Sequence, residues 1–417
     1  MPAPVHAPTP LATRSVNPFR TLQRHRNFRL FWFGQTLSLI GTWMQSMAQG
    51  WLALELSNSP FLVALVAAAQ SFPVLLLSMP AGVIVDRTDK LRLVKVAQAL
   101  LALEAAALWW FTWSGHITIS WLLILATANG IFGAFEIPAR QSLVIELVGR
   151  EDLPGAIALN SSGFNLARVI GPSIGAFVIA KFGIAWCFGV NALSYVTVLV
   201  GLYLIRLPVW EPPTHIIGPI EGMLEGVRYM RETPVVLSLI KLITVFSVLG
   251  VPYLTLMPVF ARDRFGLDAG GYGGLLACVG IGGLTGALTL AAVGPRFRRG
   301  TLLFVAAFAY SGMLLVFSLV GSPKLAYPVL LLVGFSMIVS NATGNATLQR
   351  IVPNELRGRM MAAYSFIAVG LSTVLGSMLG GVVAHAIGVS WAVGLGAAIM
   401  LGYAAWEFRK NPALRAV

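Results

Sequence analysis

An all-α fold that crosses a membrane many times follows from three features of this 417-residue sequence. Hydrophobic residues make up 57% and charged residues only 11%, about half the charge of an average soluble domain. Apolar runs of about 20 residues, enough to cross a hydrocarbon core of about 30 Å, recur from end to end. Lys and Arg gather in short clusters between those runs. Lipid offers backbone N–H and C=O groups no partner, so the spanning runs are expected to be helices.

Residues 1–27 are rich in Pro and Arg and have no apolar signal-peptide core, so they read as a cytoplasmic tail. Twelve spans follow, near 28–56, 60–85, 93–113, 119–144, 156–180, 184–206, 234–260, 271–294, 301–320, 326–349, 360–384 and 389–408. The net charge of +13 raises nucleic acid as a partner. A nucleic-acid surface gathers its cations on one face with polar neighbours, whereas these sit between apolar runs. They fit membrane topology instead. Of the 29 Lys and Arg residues, 22 fall on one side of the alternating connections and four (Lys181, Arg262, Arg264, Lys324) on the other. Both termini are therefore expected in the cytoplasm. Trp109, Trp110, Trp113 and Trp121 cluster where the third and fourth spans meet the opposite surface, as interfacial aromatics do. Cys187 and Cys278 fall in separate spans and imply neither disulfide nor metal site.

Residues 207–233 interrupt the apolar pattern with four prolines and mixed charge, so the chain divides into a bundle over 28–206, a cytoplasmic linker, a second bundle over 234–408 and a tail over 409–417. The halves share sequence. GPSIGAFVIAKFGIAW (171–186) aligns with GSMLGGVVAHAIGVSW (376–391), pairing Gly171, Gly175, Gly183 and Trp186 with Gly376, Gly380, Gly388 and Trp391. Two repeats joined in this way are the layout of secondary transporters.

Between the second and third spans, GVIVDRTDKLR supplies Gly82, Asp86, Arg87, Asp89, Lys90 and Arg92. This loop resembles the major facilitator superfamily signature G-x-x-x-D-R-x-G-R-R, with Asp89 in place of a glycine. The resemblance implies a cytoplasmic gate in which Asp86 meets a helix N-terminus of the other half and Arg87 and Lys90 meet carboxylates. The competing reading is that these cations only set topology. In span five, Ala167, Arg168, Gly171, Pro172, Gly175 and Ala176 resemble the antiporter motif G-x-x-x-G-P-x-x-G-G, which implies export; small-residue packing explains the glycines but not the Gly-Pro pair. EIPARQSLVIELVGREDLPGAIALN (136–160) and VPNELRGRMMAAY (352–364) look like the enterobactin-exporter, or transmembrane secretion effector, branch, whose members export siderophores and drugs. The resemblance covers residues 28–408 and implies twelve helices in two pseudo-symmetric six-helix bundles.

An ionisable side chain at bilayer depth costs about 2.5–3.5 kcal/mol on insertion scales and calls for a partner or a function. Asn129, Gly133, Glu136 and Arg140 fall on one face of span four. Glu136 is a proton-coupling candidate whose protonation would switch as Arg140 moves; a static i, i+4 ion pair is the alternative. Glu104, midway along span three, is either a second proton site or a packed or lipid-edge acid. Arg168 and Lys241 either attract an anionic substrate or snorkel to an interface. Gln35, Gln45 and Gln49 on span one, and Asn341 and Asn345 on span ten, are cavity candidates; interhelical hydrogen bonding competes, at about 0.6 kcal/mol per contact. The resemblance puts spans one, four, seven and ten along the central path.

No G-x-x-x-x-G-K-[ST] or H-E-x-x-H motif is present, which disfavours an ATP-driven pump and a zinc enzyme. The reading is a bacterial inner-membrane transporter, without cofactor or metal and expected to be a monomer. It exchanges a small amphiphilic compound for protons. Uptake, or a membrane receptor that moves nothing, are the rivals.

Overall fold

The computed structural model describes residues 18–208, 227–353 and 372–412, with scattered positions between 356 and 370 and residue 414. Arg357 and Arg359, most of the linker and the first 17 residues lie outside the described residues. All regular structure among the described residues is helical.

A short α1 (Pro18–Arg24) leads into α2 (Arg26–Ser57), α3 (Pro60–Asp86) and α4 (Lys90–Trp113). Then come α5 (Ile119–Gly149), α6 (Glu151–Phe182) and α7 (Ala185–Leu204). The helix starts follow local chemistry. Ser59, Asp89 and Thr118 each accept a backbone N–H of the first turn, from Leu62, Arg92 and Trp121, satisfying donors the helix cannot use. The 144–156 connection expected between spans four and five is almost wholly helical. Only Gly149 breaks it, at φ 70°, a left-handed backbone that glycine adopts without steric cost.

The second part holds α8 (Pro234–Gly250), α9 (Ala269–Val293), α10 (Arg299–Leu319), α11 (Pro323–Ile351), α12 (Ser372–Ile387) and α13 (Val389–Lys410). The sequence suggests one helix over 234–260, but α8 ends at Gly250 and continues as the short turns Pro252–Thr255 and Met257–Val259 and a wider turn over Phe260–Arg264. Pro252 and Pro258 each lack the N–H that the helical ladder needs. Among the described residues, nine helices are long and apolar enough to span a membrane. Helices α2 and α4 are not among these nine; α2 carries Gln35, Gln45 and Gln49 and α4 carries Gln98 and Glu104, and the described part of α12 is short.

The aligned glycines of the repeat occupy matching places. Gly171 packs on Ile40 and Trp43 of α2, and Gly376 packs on Val248 of α8. Gly183 and Gly388 then turn the chain at φ 89° and 91°. A side chain at either turn would meet the steric penalty of positive φ.

Contacts between the parts of the chain before and after the linker gather toward one end. Helix α9 lies on α6, where Gly273 meets Pro172 and Ala176 and Gly280 meets Val169; α12 lies on α3, where Gly381 meets Phe61 and Ala64. Arg262 donates to the Leu54 carbonyl and to Asn58 Oδ1 at 2.8 Å. Met44, Met47, Trp51 and Val63 share one apolar core with Tyr253, Tyr272 and Leu330. At the other end, the rim with Asp86, Glu146 and Asp152, a separate core of Phe28, Val94, Leu143 and Val198 belongs to the first part alone. Large apolar side chains such as Phe72, Leu76, Leu103 and Leu193 remain exposed around the outside, as a lipid-facing surface requires.

Candidate functional site

Two cavities, each of about 340 Å³, open into the middle of the molecule. Trp43, Ser46, Gln70, Ser71 and Thr373 line both, so they form one path. The cavity between the two parts of the chain is walled by Gln49, Arg168, Pro172, Leu254, Tyr272 and Met337, among others. The second extends into the first part, past Gln35, Gln98, Asn129, Gly133, Glu136 and Arg140.

Behind that second cavity lies a network of buried amides and acids. Glu104 is only 4% exposed, which corrects the lipid-edge reading: its carboxyl points into the protein. It accepts from Gln45 Nε2 at 3.1 Å and Asn129 Nδ2 at 3.0 Å. Asn129 Oδ1 in turn accepts from Gln70 Nε2 at 2.8 Å, which brings the network to the cavity wall. Gln45 Oε1 accepts from Asn191 Nδ2 at 2.7 Å, tying α2 to α7. Among the described residues, no cation approaches Glu104 within ion-pair distance.

Glu136 differs. Its Oε1 accepts from Arg140 Nε at 2.8 Å and from Gln98 Nε2 at 2.9 Å. The i, i+4 spacing places both groups on one face of α5, and Gln98 also reaches Gln35 Oε1 at 3.3 Å. Neither Asp86 nor Glu146 is Arg140's partner; Glu146 pairs with Lys90 Nζ at 3.5 Å.

Sequence reasoning missed Gln70, Gln98 and Asn191, which join the acids to each other and to the cavity. An amide inside an apolar run is the signal that singled out Gln35, and it marks these three equally. Arg168 lines the central cavity, and its Nε and Nη2 are buried without a hydrogen-bond partner among the described residues. Gly171 and Gly175 let α6 lie close on α2. Lys241 is exposed on α8, away from both cavities. Asn341 is exposed and Asn345 accepts from Gln349 at 2.7 Å; both continue the α11 face of Met337 toward the charged rim. Of the gate residues, Asp89 caps α4 and Lys90 holds Glu146, while Asp86 and Arg87 are exposed and meet no side chain of the second part among the described residues. Gly82 has open space beside it, and Arg92 gives its backbone N–H to Asp89.

A family model described as "Transmembrane secretion effector" matches residues 15–416. The chain is 26% identical to the multidrug efflux pump Tap of Mycolicibacterium fortuitum, over 84% of this chain and 87% of that protein. It is 24% identical to the enterobactin exporter EntS of Shigella flexneri, over 86% of each. It is 26% identical to the staphyloferrin A transporter of Staphylococcus aureus, over 87% of this chain and 90% of that one. Its fold is similar to a bacterial homolog of the human lysosomal transporter Spinster, with TM-score 0.72 at 14% identity, over 96% of this chain and 98% of that one. It is also similar to a peptide transporter POT bound to alafosfalin, with TM-score 0.76 at 12% identity, over 96% and 99%.

Proposed function

The chain belongs to the transmembrane secretion effector family of major facilitator transporters, and from that premise we propose that it exports a small amphiphilic compound, siderophore-like or drug-like, in exchange for protons. It is a membrane transporter with efflux-pump and siderophore-exporter relatives, and not an enzyme. The observation that carries the exchange is Glu104. A carboxyl group buried beside amides alone changes the charge of its site whenever it takes or loses a proton, because no fixed cation balances it.

The amide chain links that event to the cavity. With Glu104 ionised, Asn129 Nδ2 faces the acid and its Oδ1 faces Gln70 Nε2. Gln70 then has its carbonyl oxygen left for the cavity it lines. A protonated Glu104 donates instead of accepting, which favours the flipped Asn129 amide, and Gln70 follows by presenting its NH2 group. Proton occupancy at Glu104 thus changes whether the cavity wall accepts or donates a hydrogen bond. Glu136, already balanced by Arg140, is the secondary proton-coupling candidate.

Alternating access supplies the movement. Interpart contacts close the end near Asn58 and Gly381, while Asp86 and Arg87 stand apart from the second part at the charged rim. Rocking the two parts would open the first end and bring Asp86, Arg87 and Lys90 against the other half. The setting is a bacterial inner membrane, with twelve spans and both termini in the cytoplasm.

The test compares extracellular metabolites of a deletion strain with those of its parent. Export predicts a compound lost from the medium on deletion and restored by the wild-type chain, but not when a protonophore collapses the proton gradient. A compound that accumulates outside on deletion points to uptake, and unchanged media refute transport of a secreted metabolite.

A further inference from the structure

Arg168 sits midway along α6, 14 residues before its end at Phe182. At 1.5 Å per residue that is about 21 Å of helix, too far for a snorkelling arginine to bring its charge to an interface. The guanidinium crosses instead toward the second part of the chain. It lies against Gly283 of α9, where a Cβ would crowd Nη2. Its Nε and Nη2 have no hydrogen-bond partner among the described residues, and neither does the buried Nε2 of Gln49 on the same cavity. These unmatched groups are all donors.

Among the described residues, no carboxylate of the neighbouring spans answers them. Glu55 accepts from Trp51 Nε1 at 2.6 Å, Glu104 is held by amides, and Glu136 by Arg140. Tyr253, the phenol nearest in electrostatic terms, donates its hydroxyl to Met337 Sδ at 3.4 Å. An unpaired cation at bilayer depth is costly, and an anion placed in the cavity would remove that cost. The rest of the wall is aromatic and aliphatic: Trp43 packs on Phe164 at 5.6 Å, and Tyr272 stacks on Trp51 at 5.7 Å.

We infer that the central cavity takes an anionic amphiphile, with its carboxylate or comparably acidic oxygen on Arg168 and its apolar body between Trp43 and Tyr272. The inference rests on the export reading for its physiological meaning, and it names the chemical class exported. Because Arg168 bridges from α6 to α9, a bound anion would hold the two parts together around it. A lipid phosphate is disfavoured by the same 14 residues of helix between Arg168 and the nearer end.

The test measures thermal unfolding of the purified full-length protein in a non-ionic detergent. The probes are 2-naphthoate, its neutral amide and 2-naphthylmethylammonium. The anion should bind tightest and the cation weakest. Arg168→Gln should weaken 2-naphthoate about tenfold, the worth of one charge-assisted pair, and leave the amide unchanged. Arg168→Lys should keep the order of the three probes. If Arg168→Gln does not fold, Gly283→Ala retains the charge but displaces the guanidinium, and should weaken the anion more than the amide. Absence of an anion preference in the wild type, or a preference that survives these substitutions, overturns the inference, as does displacement of 2-naphthoate by an anionic phospholipid as readily as by excess 2-naphthoate. The binding test does not depend on transport. An anion preference with no secreted compound would remove the export reading alone, and secretion without the preference would remove this one alone.

Discussion

The interior before the linker and the interior after it are built from different chemistry. Between α2 and α7 the buried polar groups are chiefly amides and acids: Gln35, Gln45, Gln49, Gln98, Glu104, Glu136 and Asn191. Between α8 and α13 they are hydroxyls, namely Ser238, Ser311, Ser318, Ser336, Ser340, Thr343, Thr347 and Ser377, with one acid, Glu407, which accepts from Asn411 at 2.6 Å near the chain's end. The first set bonds across helices, as Gln45 does to Glu104 and Asn191. Much of the second set folds back on its own helix: Ser311 donates to Ala307, Ser318 to Leu315 and Ser336 to Leu332. A hydroxyl returned to its own backbone holds no neighbour and carries no charge. Two matched repeats thus divide the work between them. On the proposed exchange, the acids beside the cavity, Glu104 and Glu136, belong to the first part, while Glu407 of the second lines neither cavity.

The largest effect that would break this comparison is at Glu104. Glu104→Gln is expected to reduce uphill transport of the secreted compound, driven by a pH gradient in proteoliposomes, to that of protein-free vesicles. Expression should hold, because the amide oxygen still accepts from Asn129. Gln70→Leu should leave the acid able to bind a proton but cut its link to the cavity, so that transport runs downhill only. Full pH-driven transport by Glu104→Gln would move the coupling site elsewhere, with Glu136 next in line.

The second effect is on stability. Breaking the Glu136–Arg140 pair from one side leaves either the buried Glu136 or the cavity-lining Arg140 without its partner, a loss of up to about 3–5 kcal/mol. Glu136→Gln and Arg140→Gln should each unfold well below the wild type in thermal melts, and the double variant should recover most of that loss. Recovery would identify the pair as a brace whose members need each other. If Glu136→Gln alone melts like the wild type but loses coupling, the acid is a proton site and not a brace.

How legible the site was depends on where each partner lies. The Glu136–Arg140 pair could be read from spacing because both residues share one helix face. Glu104 could be seen as a problem but not solved: Gln45 lies 59 residues away and Asn129 25 away, on other helices. One-dimensional periodicity says which face a residue occupies and nothing about what that face meets. The same limit holds for the amides inside α2 and α4, whose polarity is plain in the sequence but whose partners in the buried network are not. The matched glycines were legible, because close approach requires small residues wherever it occurs. The breaks at Pro252 and Pro258 were legible too in principle, each proline removing a donor, yet the apolar run continued through them and masked the bend.

A moderate effect is expected at Gln98, which joins Gln35 to Glu136. Gln98→Leu removes both bonds and leaves the carboxylate with Arg140 alone, a loss of about 1–3 kcal/mol and a lower melting temperature. A change of the same kind in the second part should be much smaller. Ser336 donates to the Leu332 carbonyl at 2.7 Å within its own helix, and that carbonyl already accepts a backbone N–H in the helical ladder. Ser336→Ala therefore strips no partner from a neighbouring helix, and its cost should stay within about 0.5 kcal/mol. The two melts, run side by side in the same detergent, weigh the two interiors directly. Equal losses at Gln98 and Ser336 would mean that the hydroxyls also hold helices together, and the division of labour between the two parts would lose its physical basis.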